Sequence, residues 1–303
     1  MRAWCAAAIA GLAGFAAGCS PRSAAVDAAA GADAVPPYPP PRTDLVPAVG
    51  TASAIDVATW NVENFPKTPQ TPRLVADLIA SLDLDVVALQ EIASVDAFDE
   101  LVARLRGYDG VLSPHTYSDG SYQKIGIVYR RDVVSVDDVR LLLSDHGYEL
   151  PRPPLAVEVS IAGSSLDFRA VAVHLKAGFD ADDRSRRAAA VALIEAEVAM
   201  DPDPEVVVVG DFNEVVTSDA GRAVFAPFFD AADHYVVLTD GLAQSGAETF
   251  LPSGAMIDHA VATADLAASV AADTIDVPPL ADELVGYRDA VSDHLPVVIA
   301  VTP

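Results

Sequence analysis

The sequence predicts a mixed α/β domain: two stacked sheets, helices outside them, and a functional site at one rim. Two observations carry this. Apolar runs rich in β-branched residues alternate with helical stretches, and the polar residues of the strand-like runs collect at their ends. Residues 55–60 read as a strand. Residues 72–82 read as a helix starting after Thr71, with Leu74, Val75, Leu78, Ile79 and Leu82 on one face. A short buried strand over 86–89 and a helix over 95–105 follow. Residues 125–129 are a strand, and 155–161 with 166–173 form a hairpin turning at Ala162-Gly163-Ser164-Ser165. The longest helix is expected over 182–200, burying Ala190, Leu193, Ile194 and Val198. Residues 206–209 are apolar throughout, which suits a strand covered on both faces. Late strands are expected over 257–262 and 296–301.

The first fifty residues stand apart. Arg2 precedes an apolar small-residue run over 6–17, then Gly18-Cys19-Ser20. That run is too short to span a bilayer and has the build of an export signal. Ala16-Ala17-Gly18-Cys19 resembles a bacterial lipobox, with Ala16 where leucine is usual. This places a signal peptide over 1–18 and a lipid on Cys19, and hence the protein on the cell envelope, facing the periplasm or exterior. An ordinary signal peptide cut nearby, giving a secreted protein, is the alternative. Residues 19–50 are rich in Ala and Pro around Pro36-Pro37-Tyr38-Pro39-Pro40-Pro41, and are expected to form a disordered linker. Residues 51–303 suit one large domain, expected to be monomeric.

The only cysteines, Cys5 and Cys19, exclude a disulfide framework and a cysteine zinc cluster in the domain. The net charge is −25, and loss of Arg2 with the first 18 residues takes it to −26. Such a charge repels nucleic acid at long range. It does not exclude a nuclease, because a bound divalent cation and a local basic patch can reverse the potential at a site.

Five segments join apolar strand-like residues to acids, amides or imidazoles. They are Thr59-Trp60-Asn61-Val62-Glu63-Asn64-Phe65, Leu89-Gln90-Glu91, Val173-His174-Leu175-Lys176, Gly210-Asp211-Phe212-Asn213 and Ser292-Asp293-His294-Leu295-Pro296. A carboxylate directly after an apolar strand is costly to bury unpaired, so Glu91 should bind something positive. In extended chain, Asn61 and Glu63 leave one side of their strand, as do Asp211 and Asn213. Taken singly, each segment is explained as well by a strand-end cap or an Asx-type turn.

In this order the five segments resemble the active-site strand ends of the endonuclease/exonuclease/phosphatase superfamily, the deoxyribonuclease I-like group. The resemblance implies a four-layer α/β sandwich, with two mixed sheets flanked by helices. It implies hydrolysis of phosphate esters with Mg²⁺, for which Mn²⁺ can substitute. Glu91 then becomes the principal metal ligand, with Glu63 and Asp293 as further acids beside the metal and Asn61 as a supporting amide. Asp211 orients or deprotonates the attacking water, and Asn213 binds phosphate. His294 is the essential imidazole and Asp258 its partner. His174 matches a second histidine of the deoxyribonuclease I and sphingomyelinase branches, whose supporting acid falls near Gln123 here, an amide. Arg152, in an Arg-x-Pro segment, and Lys176 are candidates to contact substrate. The Arg184, Arg186 and Arg187 cluster reads as a solvated helical face, and His115, His146, His234 and His259 as structural or surface groups.

The favoured activity is an exported endo- or exonuclease acting on DNA or RNA. The alternative is a phospholipid phosphodiesterase of sphingomyelinase type, or a small-molecule phosphodiesterase or phosphatase. A non-catalytic binding lipoprotein is the third reading, and the completeness of the site argues against it.

Overall fold

The structure, a computed structural model, describes residues 37–201 and 203–303. The expected signal segment over 1–18, the lipidated Cys19 and the first part of the linker lie outside the described residues. Among the described residues, no helix is long and apolar enough to cross a membrane.

The strands are β1 (Ile55–Phe65), β2 (Val86–Ile92), β3 (Tyr108–Leu112), β4 (Lys124–Arg130), β5 (Val134–Leu141), β6 (Leu155–Ile161), β7 (Asp167–His174), β8 (Val206–Asp211), β9 (Tyr235–Val237), β10 (Asp258–Thr263) and β11 (Val297–Val301). They form a five-stranded sheet, β11-β1-β2-β4-β3, and a six-stranded sheet, β5-β6-β7-β8-β10-β9. Both are mixed. The β1–β2 and β7–β8 pairs are parallel, and the remaining pairs are antiparallel.

Helices α1 (Thr71–Leu82) and α2 (Val95–Arg104) cover the outer face of the first sheet, and α3 (Ala181–Val198) covers that of the second. Each starts where its sequence allows. Pro72 occupies the first turn of α1, where a missing N–H costs nothing. Ser94 accepts the Ala97 N–H at the start of α2, and Asp180 that of Asp183 at the start of α3.

Alternation along the strands sorts the core into three apolar layers. Between the sheets, Val57, Ala88 and Ile127 meet Val157, Ala170, Val207 and Val209. On the outer face of the first sheet, Val87 and Leu89 meet Val75, Leu78 and Ile79. On that of the second, Val206 and Val208 meet Val191, Ile194 and Val198. The four valines of β8 thus serve two layers, as their unbroken apolar run implies. Burying each such side chain contributes roughly 1.5–3 kcal/mol, and the result is the four-layer sandwich expected from the resemblance.

Three expectations are corrected. The folded unit begins before residue 51. Arg42 donates its N–H to Asp77, Leu45 to Ser81, and Val49 and Gly50 to Leu82 O, while Val46 is buried in the core. This segment occupies the open carbonyl at the end of α1 and covers its apolar side. In α3, Val191 takes the buried place expected for Leu193. Arg187, assigned to a solvated face, is 1% exposed and bonded to Glu214, so it is a core residue.

Candidate active site

Strand register builds half of the site. His174 on β7 pairs with Asp211 on β8, and Asp211 pairs with Asp258 on β10, so the three stand in one row across the second sheet. His174 Nε2 is 3.6 Å from Asp211 Oδ2. The row depends on Gly210, because a Cβ there would stand 2.0 Å from the Val173 carbonyl oxygen. Only glycine lets β8 approach β7 so closely. His294 enters from the turn before β11, and its Nδ1 is 2.8 Å from Asp258 Oδ2. The backbone of His294 is held from behind. Its N–H donates to Ser292 Oγ at 2.9 Å, and its carbonyl accepts from Trp60 Nε1 and the Tyr287 hydroxyl. Ser292 Oγ in turn donates to Asn61 O at 2.6 Å.

The other half is built by backbone that leaves the extended conformation. Glu63, Asn64, Glu91 and Asn213 have φ of 40°, 47°, 62° and 52°. Non-glycine residues rarely adopt this left-handed region, and such strain concentrates at functional sites. The same-side alternation expected for Asn61 with Glu63, and for Asp211 with Asn213, therefore does not occur. Instead, Asn61 Oδ1 accepts the Glu63 N–H at 3.0 Å, and Asp211 Oδ1 accepts the Asn213 N–H at 2.8 Å. The Asx-type turn is present at Asp211, inside the site rather than as an alternative to it.

Asn61 joins the halves. Its Nδ2 donates to Asp211 Oδ2 at 3.0 Å and to Glu91 Oε1 at 3.4 Å. With its oxygen occupied by Glu63 N–H, Asn61 acts as a donor between two carboxylates and not as an oxygen ligand. Glu91 Oε2 accepts the Asn64 N–H at 2.9 Å. Glu91 Oε1 is 3.8 Å from His174 Nε2. Glu63 is ion-paired with Lys67.

The electrostatics divide the two histidines. Burial opposes a charge on His294, but Asp258, by charge and hydrogen bond, and then Asp211 and Asp293 outweigh it and raise its pKa to about 10. Burial, reinforced by the charges of Arg152 and His294, holds His174 well below the usual imidazole range. Its Nδ1 is buried without a hydrogen-bond partner among the described residues. Burial, then the Asp258 charge, raises the proton affinity of Asp211, while His294 and Asn61 act against this. Asp293 is raised mainly by burial.

The acids exceed the cations available to them. Asp258 is committed to His294 and Glu63 to Lys67, whereas Glu91 receives only neutral N–H donors. Asp211, Asp258 and His294 also place one potential ligand atom each within 4.8 Å of one another. Two of these three are already engaged with each other, so the better oxygen donors for a hard divalent cation are Glu91 and its acidic neighbours. Carboxylates of this kind fit such an ion.

The remaining candidates are placed differently from expectation. Arg152 is buried and donates to His174 O at 3.1 Å and Leu175 O at 2.6 Å, so it clamps the end of β7 instead of reaching out to substrate. Lys176 is paired with Asp183 at 2.8 Å. Gln123 contacts Asn64 and Arg152, and no hydrogen bond links it to His174 among the described residues. His259 is structural, bonded at both ring nitrogens to Thr239 and Glu214 O. Reading the sequence alone missed Ser292, Tyr287 and Trp60 as the support of His294. The available signal was Trp60 itself, since a buried indole N–H needs an acceptor.

The family model described as Endonuclease/Exonuclease/phosphatase family matches residues 58–294. No curated protein matches the chain. Among solved structures it resembles humanized D. rerio TDP2 carrying 14 mutations, at TM-score 0.63 and 16% identity over 83% of this chain and 100% of that one. D. rerio TDP2 complexed with a single strand DNA product matches at 0.62 and 16% over 82% and 98%. The human Nocturnin catalytic domain with bound sulfate anion matches at 0.60 and 19% over 82% and 93%. At these identities the structures speak for the fold. The family match spans every segment of the site just described, and the chain belongs to the Endonuclease/Exonuclease/phosphatase family of hydrolases that act on phosphate esters.

Proposed function

We propose that this protein is a divalent-metal-dependent phosphodiesterase that cleaves nucleic acid, using Mg²⁺ or, in its place, Mn²⁺. The carrying observation is the hydrogen bond from Asn61 to both Glu91 and Asp211, which brings a cation-seeking acid and a proton-accepting acid to one rim. Glu91, with Asp293 and, on exchanging Lys67 for the ion, Glu63, would hold the metal, which when bound offsets charge on the phosphoryl oxygens and acidifies water. Asp211 accepts the proton of the attacking water, its proton affinity raised by burial. Asn61 and the Asn213 N–H hold its two oxygens in place. The His294 imidazolium, fixed by Asp258 and 4.0 Å from Asp211, offsets charge developing on the phosphoryl group. His174, kept neutral by burial, places its Nε2 3.6 Å from Asp211 and 3.8 Å from Glu91. Asn213 donates one amide hydrogen to Leu175 O and retains the other for a phosphoryl oxygen.

Nucleic acid is preferred because D. rerio TDP2, a structural neighbour, is complexed with a single strand DNA product. One observation favours the second reading, a phospholipid or small phosphodiester. Lys176 and Arg152, the two basic residues expected to meet substrate, are taken up by Asp183 and by backbone carbonyls. A polyanion then finds little fixed positive charge at the rim. We further propose export, lipid attachment at Cys19 and a monomeric state, with the domain facing the periplasm or exterior.

The test is the mature protein with Mg²⁺ against plasmid DNA, RNA, sphingomyelin and a bis-aryl phosphodiester. Cleavage of DNA or RNA that stops in chelator is expected. Hydrolysis of sphingomyelin or the aryl ester alone selects the second reading, and inactivity on all four removes the catalytic reading. Release of the protein from the membrane fraction by Cys19→Ser tests the anchor.

A further inference from the structure

Gln123, just before β4, is a meeting point of three segments. Its Nε2 donates to Asn64 Oδ1 at 2.8 Å. Its Oε1 accepts from Arg152 Nη1 at 3.3 Å and from the Tyr117 hydroxyl at 3.4 Å. Asn64 passes the connection on, because its backbone N–H donates to Glu91 Oε2 at 2.9 Å. At the other end, Arg152 grips His174 O and Leu175 O. One chain of hydrogen bonds thus runs from the end of β7 to Glu91.

The chemistry of position 123 is constrained. It must donate to an amide oxygen and accept from a guanidinium at once, and a primary amide does both. An apolar side chain of the same length does neither, whereas a carboxylate keeps Arg152 and still meets Asn64 once the Asn64 amide turns over to donate its Nδ2 hydrogen. Asn64 itself is held at φ 47°, a conformation that asparagine tolerates better than most residues. The tether to Gln123 is the only side-chain hydrogen bond of Asn64 among the described residues. Without it, the strained turn over Glu63 and Asn64 is free to relax and carry its N–H away from Glu91.

We infer that Gln123 is a positioning residue for the metal side of the site: its amide transmits the fixed position of Arg152 through Asn64 to the Glu91 carboxylate. Gln123→Met is therefore a disruptive change. It keeps the length of the side chain but releases both Asn64 and Arg152. This inference rests on the reading of Glu91 as a metal ligand.

The test is Mn²⁺ affinity of the full chain, measured by electron paramagnetic resonance without substrate, with thermal melting alongside. Gln123→Met and Gln123→Ala should each weaken Mn²⁺ binding roughly tenfold or more, the usual effect of removing a group that orients a ligand. Asn64→Gly keeps the left-handed backbone, drops the amide oxygen and should give the same loss. The pair Asn64→Gly with Gln123→Ala should be no worse than either alone, since both break one chain. Mn²⁺ affinity unchanged in Gln123→Met, tighter binding in that variant, or additive losses in the pair would each overturn the inference. If Gln123→Ala fails to fold, the near-isosteric Gln123→Met and Asn64→Gly decide it. Glu91→Gln is the control. If it binds Mn²⁺ like the wild type, the assignment of Glu91 fails. If it loses Mn²⁺ while the Gln123 variants do not, only the positioning role fails.

Discussion

The two sheets meet the site in opposite ways. On the second sheet, His174, Asp211 and Asp258 are set by strand register and are almost wholly buried. On the first, Glu63, Asn64 and Glu91 are set by left-handed backbone and retain partial exposure, with the Glu91 side chain 18% accessible. In the proposed reading the difference separates two tasks. Burial beside fixed charges tunes proton affinity, as it does for Asp211 and the His294–Asp258 pair. A hydrated cation needs open oxygens, and Glu91, held by the neutral donors of Asn61 and Asn64, would supply them without loss of its charge.

The comparison can be broken at its strongest point first. Asp211→Asn should lower kcat by about 10²–10⁴, the range for loss of a general base, while Mn²⁺ still binds. Glu91→Gln should show the converse signature, with weak metal binding and activity partly restored at high metal concentration. Identical metal affinities in the two variants would erase the division of labour.

Asp258→Asn comes next. The pKa of folded His294 is raised from 6.5 to about 10. Its protonation therefore stabilises the fold fully below about pH 6.5, and that contribution is lost as pH rises through about 10. Removing the Asp258 charge should move the alkaline limb of the pH–rate profile towards neutrality. The stability gap between wild type and variant should also shrink as pH rises. A profile that does not move would deny His294 its charged role.

Gly210→Ala should act through geometry alone. Its Cβ meets the Val173 carbonyl at 2.0 Å, so β8 must shift and displace Asp211. A destabilisation of roughly 1–3 kcal/mol is expected, read as a lower Tm with reduced kcat and unchanged metal affinity. The smallest effect belongs to Lys176→Ala. Its pair with Asp183 is partly exposed, and such pairs contribute about 0–1 kcal/mol. Cleavage within about threefold of wild type is expected; a large rise in KM would show that Lys176 leaves Asp183 for substrate.

Much of this was legible beforehand. The helix over 71–82, the hairpin of β6 with β7 and the doubly covered β8 each carry a local period or an unbroken apolar run. The strands not foreseen, β3, β5 and β9, are all at sheet edges. β5 shows why: Val134-Ser135-Val136-Asp137-Asp138-Val139-Arg140-Leu141 is mostly solvent-facing, so its pairing comes from β6 and not from its own pattern. Gln123 shows the other limit. An expected place beside His174 came from counting along the chain, whereas its partners are 59 and 29 residues away in sequence.

The sequence by itself determined which residues are candidates for the chemistry, because an acid, amide or imidazole that ends an apolar strand must answer for its burial. Apolar periodicity pointed to a mixed α/β domain, and the resemblance of its strand-end segments supplied the four layers. Only the tertiary structure decided what each group touches there. Whether Lys176 is free, whether Arg187 is buried, which histidine holds its proton and which way Asn61 turns all depend on charges and hydrogen-bond partners brought together from distant segments. Electrostatic energy depends on distance in space and on exclusion of water, and neither is written in the order of residues along a strand.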